Sequence, residues 1–407
     1  MSTREFDVIV WGATGFTGQL VVEYLAQTYG VGGALRWAIA GRNRNKLDAV
    51  RHACLPAAQR NQLPILLADS EDAASLGRLA EQAKVICTTV GPYAKYGTPL
   101  VAACADAGTD YCDLTGEVQW MARVIPQFQD RAMASGARIV HTCGFDSVPF
   151  DMGNWYLQQQ MLQRHGVCAS QVKARVGRNR GAASGGTIAS VLNMMEEAGR
   201  DASVRRLVAN PYSLYPQGTP AGPDGPDQTG PVYDEDFEQW TSPFIMAAVN
   251  TRVVRRSNAL LDFPWGEDFR YSEATLETSR FKATRNSVAG LVGMVALALG
   301  PTRRLVQRFL PKPGEGPTRE QREAGYYELF FLGIHAQDRA MDTLVKVCGD
   351  MDPGYGSTSK MLAEAAVCLA RDTLPVGGGF WTPASALGEA YQQRLANSAG
   401  LTFEVCR

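Results

Sequence analysis

A glycine pattern near the start of the chain could hold a phosphate group. Gly12, Gly15 and Gly18 form a GxxGxxG pattern in VIVWGATGFTGQLVVEYL, between an apolar strand and an amphipathic helix. The first glycine allows a tight turn, the second lets the backbone approach a pyrophosphate, and the third permits close helix–strand packing. The pattern predicts a dinucleotide site, and the alternative is a purely structural turn. The expected contacts are Gly12, Thr14, Gly15, Phe16, Thr17 and Gly18.

The end of the second predicted strand carries a basic residue where an acid would favour NAD. In AIAGRNRNKL, Gly41 is followed by Arg42, and no carboxylate is available there for the ribose hydroxyls. A guanidinium can pair with a 2'-phosphate and stack on adenine. Arg42, with Asn43 or Arg44, therefore favours NADP as the cofactor. The alternative interpretation is a solvated basic turn.

Two further strand ends complete the predicted nucleotide site. Asp69 and Ser70 end the third strand, where the adenine edge usually lies, although a plain loop at Asp69 is an equal alternative. The fourth strand ends at Thr88 to Gly91, and we expect Thr89 and Gly91 to lie on the nicotinamide side.

Side chains able to transfer a proton follow strands four to six. They are Tyr93, Lys95 and Tyr96 in GPYAKYG, then Asp113, then His141, Cys143 and Asp146 in HTCGFDSVP. A tyrosine, a protonated lysine or a histidine could protonate a substrate as hydride arrives. The alternative for His141, at the end of an apolar strand, is a satisfied core histidine.

Several reaction classes lack their usual motif. No tyrosine has a lysine four residues later, which argues against the short-chain dehydrogenases. Without HExxH or paired cysteines, and with four well-spread histidines, no metal site is predicted. GxSxG, the commonest esterase signature, is also missing.

The elements that must position these residues alternate as strands and helices from Phe6 to about Asp151, which predicts an α/β fold with an N-terminal doubly wound Rossmann sheet. Later strands with alternating polarity predict a second, α+β mixed-sheet domain. The Pro- and Gly-rich stretch 211–231 is expected to be a functional flap or disordered. We expect an NADP-binding domain at 1–151, a substrate domain at 152–352, and C-terminal helices and a strand at 353–407 packing back between them. The six predicted strands of the first sheet are Phe6–Trp11, Leu35–Ala40, Leu63–Ala68, Lys84–Thr89, Thr109–Asp113 and Ala137–His141.

Composition and charge set the expected environment. The net charge of -1 does not favour nucleic acid, and nine scattered cysteines with no secretory signal indicate a reducing, cytoplasmic compartment.

The apolar run Val288 to Leu299 is too short to span a bilayer as a helix, and it is flanked by basic residues. It is either a helix at an anionic membrane surface, with peripheral contact through 288–308, or a buried core helix or pocket wall. The flanking residues are Lys282, Arg285, Arg303, Arg304 and Arg308.

Together the motifs resemble those of the saccharopine dehydrogenase-like oxidoreductases, and among them the bacterial trans-acting enoyl reductases. The resemblance covers most of the chain in order and spacing. The matching segments are GATGFTG (Gly12–Gly18), AGR (Ala40–Arg42), VGPYAKYG (Val90–Gly97), YCDLTGE (Tyr111–Glu117), CGFDSVPFDMG (Cys143–Gly153), SGGTIAS (Ser184–Ser190), LPKPGEGP (Leu310–Pro317), DPGYGSTSKMLAEA (Asp352–Ala365) and GGGFWTPASALG (Gly377–Gly388).

This resemblance implies a Rossmann domain bearing NADP and reduction of a carbon–carbon double bond in a hydrophobic polyketide or fatty-acyl chain on a carrier. A polyketide or fatty-acid synthase would be the partner, and a homo-oligomer stays open. Tyr93 or Tyr96 is the expected proton donor, with Lys95 beside them. The alternatives are a non-catalytic NADP(H)- and lipid-associated binding protein of the same fold, or a saccharopine-type amino-acid dehydrogenase.

Overall fold

A computed structural model describes residues 4–181, 185–298 and 316–407, without the side chains of 186–188 and 298. Its first sheet has seven parallel strands in the order β13-β6-β5-β4-β1-β2-β3. Those strands are β1 (Phe6–Trp11), β2 (Trp37–Gly41), β3 (Ile65–Leu67), β4 (Ala83–Thr88), β5 (Asp110–Cys112), β6 (Arg138–Val140) and β13 (Gly379–Trp381). The predicted Rossmann sheet is confirmed.

The seventh strand of this sheet was not predicted. β13 comes from the C-terminal part of the chain and pairs with β6, Phe380 lying opposite Ile139. Its sequence, GFW, is too short for an alternating pattern to stand out from its glycine-rich surroundings. Only tertiary pairing identifies such a strand.

Helices cover both faces of the first sheet. The strand β1 has the sequence FDVIVW and is buried on both faces. It therefore lacks the alternation of apolar and polar residues, as expected for a central parallel strand. The helices up to the sixth strand are α1 (Phe16–Tyr29), α2 (Arg44–Cys54), α3 (Ala73–Gln82), α4 (Tyr93–Tyr96), α5 (Thr98–Ala107) and α6 (Val118–Ser135).

The second sheet is mixed, as predicted, and has seven strands in the order β14-β12-β11-β7-β10-β9-β8. β7 and β10 are parallel, and the other neighbours are antiparallel. The strands are β7 (Gln171–Arg180), β8 (Val232–Asp234), β9 (Gln239–Ser242), β10 (Arg270–Glu277), β11 (Tyr326–Ile334), β12 (Thr343–Gly349) and β14 (Leu401–Val405).

Eight helices accompany this sheet and the C-terminal part among the described residues. In chain order they are α7 (Val148–His165), α8 (Gly185–Arg200), α9 (Ala202–Ala209), α10 (Ala247–Leu260), α11 (Arg280–Ala298), α12 (Arg319–Glu323), α13 (Thr358–Arg371) and α14 (Pro383–Asn397). A short π-helical turn, Pro353–Ser357, precedes α13. α13 packs on α1 and on the first sheet, and α14 packs on α7.

The Pro- and Gly-rich stretch 211–231 is an ordered loop held by α10, so the expectation of disorder is wrong, and the alternative of a functional flap stays a prediction. Buried arginines on α10 hold it: Arg255 pairs with Asp224 at 2.7 Å and Arg252 pairs with Asp227. Arg256 donates to the Leu214 carbonyl at 2.6 Å. Burying these charges is tolerated because each guanidinium has carboxylate or carbonyl partners.

The two sheets share one apolar core. Its buried side chains include Val8 and Val10 of the first sheet and Phe331 and Val345 of the second. The C-terminal segment adds one strand to each sheet, β13 to the first and β14 to the second. The division at residues 151 and 352 stays a prediction, since this packing joins the segments tightly.

The apolar run beginning at Val288 forms the second half of α11 and is exposed. Every residue from 288 to 295 is solvent-exposed, so the prediction of a buried core helix is wrong for this part. Leu299, Arg303, Arg304 and Arg308 lie outside the described residues. In the described part of the chain, no helix is long and apolar enough to cross a membrane.

Candidate active site

The glycine turn closes against the ends of two neighbouring strands. The Gly12 amide donates to the Ala40 carbonyl at 3.2 Å, and Thr89 Oγ1 donates to the Gly12 carbonyl at 3.1 Å. Gly12 has a φ of 87°, and a Cβ there would lie 2.6 Å from Val90 Cγ2. Both observations require glycine at this position.

The third glycine lets α1 approach the turn. A Cβ on Gly18 would lie 2.2 Å from the Gly12 carbonyl oxygen, so a side chain cannot be accommodated without moving backbone. Gly15 is the N-cap of α1, and it offers no side-chain cap; the first turn holds no acidic residue. The amides at this end are therefore available to an anion, as the sequence predicted.

In the basic turn after β2, two residues are engaged in the fold and a third has no partner among the described residues. Asn43 caps α2 by accepting from the Lys46 amide at 3.1 Å, and Arg44 pairs with Asp48 at 3.3 Å. Arg42 is exposed and makes no hydrogen bond or ion pair within residues 4–181, 185–298 and 316–407. Of these three, Arg42 is the one whose guanidinium can bind a phosphate group.

The other predicted nucleotide residues lie at the same sheet edge. Asp69 is half-buried, and its Oδ1 accepts from the Glu71 amide at 3.1 Å, which fixes the turn after β3. Ser70 beside it is buried. Thr89 joins β4 to the glycine turn, and Gly91 is exposed just beyond it. Strand register thus gathers four loops that are distant in sequence.

The three proposed catalytic residues of GPYAKYG have different environments. Tyr93 is buried: its hydroxyl donates to the Thr88 carbonyl at 3.2 Å, and its ring stacks on Trp120. Burial, with Asp113 nearby, raises the pKa of Tyr93 well above its usual value. Lys95 and Tyr96 are exposed on the same short helix, α4. Tyr93 is thus placed to support the loop, and Lys95 and Tyr96 can reach a ligand.

Glu117, which we did not predict as a site residue, holds that loop in place. Its carboxylate accepts from the amides of Tyr93 at 2.7 Å and Ala94 at 3.0 Å, and from Ser190 Oγ at 2.9 Å. Burial raises the pKa of Glu117. The last contact ties α4 to α8. Only its position in the YCDLTGE segment could have indicated Glu117.

Asp113 and His141 meet in the interior. His141 Nδ1 lies 2.7 Å from Asp113 Oδ2, which also accepts from the Tyr111 hydroxyl at 2.9 Å. Both residues are buried, and His141 Nε2 has no hydrogen-bond partner among the described residues. Cys143 is buried as well. These three side chains are therefore closed off from solvent, and the arrangement agrees with the alternative of a core histidine at His141.

Asp146 is a carboxyl group at the carboxyl end of the first sheet. It follows β6 and is half-buried, and a Cβ on Gly116 would lie 3.7 Å from its Oδ2. The same position is 3.8 Å from Val249 and 3.9 Å from Met246, at the start of α10. No described residue donates a hydrogen bond to this carboxyl, and burial raises the pKa of Asp146 to about 7. A partly protonated carboxyl near neutral pH can act as a general acid.

Two residues from the later part of the chain pack on Phe16, which follows the glycine turn. Its ring makes an edge contact with Tyr355 at 4.8 Å, and the Arg322 guanidinium lies over it at 5.6 Å. The Tyr355 hydroxyl accepts from the Gly185 amide at 2.7 Å, at the start of α8. Residues from the later part of the chain therefore border the nucleotide edge at Phe16.

The residues at this edge fit a phosphorylated dinucleotide. The uncapped α1 amides and the glycine turn would hold a pyrophosphate, and Arg42 would hold a further phosphate on the ribose. Asp146, Lys95 and Tyr96 follow strands β4 and β6 of the same parallel sheet, and their side chains can donate a proton or a hydrogen bond. This arrangement suits hydride transfer coupled to a protonation.

Comparisons with known proteins agree with this geometry. Residues 8–140 match the family described as the saccharopine dehydrogenase NADP binding domain. A Mycobacterium tuberculosis protein named as a candidate trans-acting enoyl reductase is 42% identical, covering 99% of this chain and 98% of its own. Trans-acting enoyl reductases of Mycobacterium bovis and Mycobacterium leprae are each 38% identical with the same coverage.

One solved structure supports the fold over the whole chain. Saccharopine dehydrogenase (L-Glu forming) from Saccharomyces cerevisiae, solved in its apo form, has a TM-score of 0.52 and 11% identity, and covers 99% of this chain and 100% of its own. At this identity the similarity concerns the fold alone.

Proposed function

The chain belongs to the saccharopine dehydrogenase-like family of NADP-dependent oxidoreductases, which includes the trans-acting enoyl reductases, and from this premise we propose that it reduces a carbon–carbon double bond in a hydrophobic acyl thioester. The substrate would be a polyketide or fatty-acyl chain on the carrier of a separate synthase. The observation that carries this proposal is the Asp146 carboxyl, which has no hydrogen-bond donor among the described residues and follows β6, whose carboxyl end lies at the same edge of the parallel sheet as the ends of β1 to β4.

Bound NADPH supplies the hydride, and the chain's own residues bind, orient and protonate. Arg42 and the α1 amides would hold the cofactor phosphates. Lys95 and Tyr96 would donate hydrogen bonds to the thioester oxygen, on which negative charge develops during the reduction. Asp146 then gives its proton to the α-carbon. Met246 and Val249, which like Asp146 lie within 4 Å of the position that a Cβ on Gly116 would take, would form the apolar side against which an acyl chain packs.

Tyr93 has a supporting role in this proposal. Its hydroxyl already donates to the Thr88 carbonyl, so its proton is engaged at the end of β4. Together with Glu117 it fixes the α4 turn, and so it sets the positions of Lys95 and Tyr96.

The experiment combines cofactor binding with turnover. Purified protein is titrated with NADPH and NADH, and then NADPH oxidation is followed with 2-enoyl thioesters of increasing chain length. We expect tight binding of NADPH, loss of that preference in Arg42→Ala, and oxidation that increases with acyl length. Arg44→Ala is the matched control, because Arg44 is already paired with Asp48.

Two outcomes would contradict the proposal in different ways. Failure to bind either nucleotide would remove the cofactor assignment to these residues. Tight NADPH binding with no oxidation across the acyl panel would favour the non-catalytic binding protein of the same fold.

A further inference from the structure

The second half of α11 presents a fully apolar surface to solvent. Residues 288 to 295 read VAGLVGMV, without one polar side chain, and all eight are exposed. Eight residues make more than two helical turns, so every face of the helix is exposed over this length. Leu291 is 65% exposed and Val292 60%. A Cβ on Gly290 or Gly293 would meet nothing within 4 Å.

The first half of α11 is the part that attaches to the protein. Ala283 and Ser287 are buried, and Asn286 Nδ2 donates to Glu277 Oε1 at 2.7 Å on β10. α11 also packs on β9 and α8. The apolar half therefore projects beyond a firmly held base.

The charged residues in the stretch of sequence that contains the apolar half are all basic. From residue 278 to residue 314 the sequence holds seven basic residues and no acidic residue. Lys282 and Arg285 are exposed at the base of α11, where the polar half ends. The seven are Arg280, Lys282, Arg285, Arg303, Arg304, Arg308 and Lys312.

We propose that α11 anchors this enzyme to an anionic lipid bilayer, with the apolar half inserted among the acyl chains and the basic base at the headgroups. A docking partner with a groove would cover one stripe of a helix, and the remaining faces would still need polar residues. Acyl chains surround a helix on all sides, which matches the absence of any polar face. Basic residues at the base complement anionic headgroups.

The length of the apolar half fits one leaflet. Residues 288 to 298 extend about 16 Å at about 1.5 Å per residue, roughly half of a hydrocarbon core about 30 Å thick. The anchor goes beyond the proposed reaction, because it concerns where the protein works. The anchor is also connected to the candidate site. α8 contacts α11 and carries Ser190, whose hydroxyl donates a hydrogen bond to Glu117 beneath the α4 turn.

Vesicle sedimentation tests the anchor with the full-length protein. Vesicles of phosphatidylglycerol and phosphatidylcholine in equal parts are compared with vesicles of phosphatidylcholine alone. We expect binding to the anionic vesicles that weakens as salt is added. The double substitution Leu291→Glu with Val295→Glu should weaken it by more than about tenfold, because charged side chains are costly among acyl chains.

A second variant separates charge from apolar insertion. Lys282→Ala with Arg285→Ala should weaken binding to anionic vesicles by about tenfold or more, and leave binding to neutral vesicles unchanged. Met133→Glu with Leu162→Glu is the control for the first variant, since both residues are exposed apolar residues on other helices. Arg78→Ala with Arg164→Ala is the control for the second. Retained NADPH binding shows that each variant is folded.

Three results would overturn the anchor. The first is a wild-type protein that binds neither kind of vesicle. The second is binding that the Leu291 and Val295 substitutions leave intact. The third is a lipid-free dimer that these substitutions convert to a monomer without any vesicle binding, which would assign α11 to a second copy of the chain.

Discussion

At the scale of single residues, two glycines in helices have opposite roles. Gly18 has the Gly12 carbonyl 2.2 Å from where its Cβ would be, whereas Gly77 on α3 has nothing within 4 Å. Gly18→Ala should therefore displace the turn and weaken NADPH binding by more than tenfold, an effect of at least about 1.4 kcal/mol. Gly77→Ala should leave binding unchanged and stabilise the fold by about 0.5 to 1 kcal/mol. Nucleotide titration and urea unfolding of both variants measure this, and equal effects would contradict it.

The carboxyl of Asp146 predicts how activity depends on pH. Because its pKa is raised to about 7, the group is largely protonated below that pH and loses its proton above it. A general acid must be protonated, so kcat/KM for the acyl thioester should fall as pH rises through about 7. Asp146→Asn should lower kcat by about 10² to 10⁴-fold and keep NADPH binding. An unchanged pH profile in this variant would exclude Asp146, and Tyr96→Phe would then be tested as the alternative donor.

At the scale of elements, arginine side chains of α10 hold the long loop 211–231 in place. Arg255 is buried, pairs with Asp224 at 2.7 Å, and donates to the Pro211 and Tyr271 carbonyls at 3.2 and 2.9 Å. Arg255→Ala leaves a buried carboxylate without its cation, so we expect a loss of about 3 to 5 kcal/mol in unfolding free energy. Protease cleavage within 211–231 should accelerate. The exposed Arg270, substituted in the same way, should change stability by less than about 0.5 kcal/mol.

At the scale of the whole molecule, a buried carboxyl between β10 and α10 makes stability depend on pH. Glu273 on β10 accepts from the Tyr271 hydroxyl at 2.9 Å and from Asn250 at 3.1 Å, and burial raises its pKa to about 8. An unfolded glutamate ionises near pH 4.3, so between about pH 4 and 8 the folded chain holds the extra proton. Stability from this group is therefore greatest at the acidic end and falls as pH rises towards 8.

Urea unfolding at about pH 6 and pH 8.5 measures that decline. Wild type should lose on the order of 1 to 3 kcal/mol from Glu273 over this interval. Glu273→Gln keeps a neutral group of the same shape, so its decline should be smaller. A steeper decline in the variant would contradict the assignment. Glu328→Gln is the comparison, because Arg178 and Lys346 lower the pKa of Glu328 to about 2, outside this pH interval.

Much of this protein follows from its sequence alone. The glycine turn, the basic residue after β2 and the alternation of strands and helices are local patterns, because strand–turn–helix geometry depends on residues close in sequence. They predicted the Rossmann sheet, its nucleotide edge and NADP. The apolar and basic character of the segment around Val288 was equally plain in the sequence.

Tertiary structure decided what depends on contacts between distant segments. On the short helix α4 it buried Tyr93 and left Lys95 exposed to solvent, because Trp120 and Glu117 pack against the Tyr93 side of that helix. It supplied β13 from the far end of the chain, and it exposed α11, whose apolar pattern fits a core equally well. Burial and pairing are properties of the packed chain, so hydrophobicity along the sequence could not distinguish these alternatives.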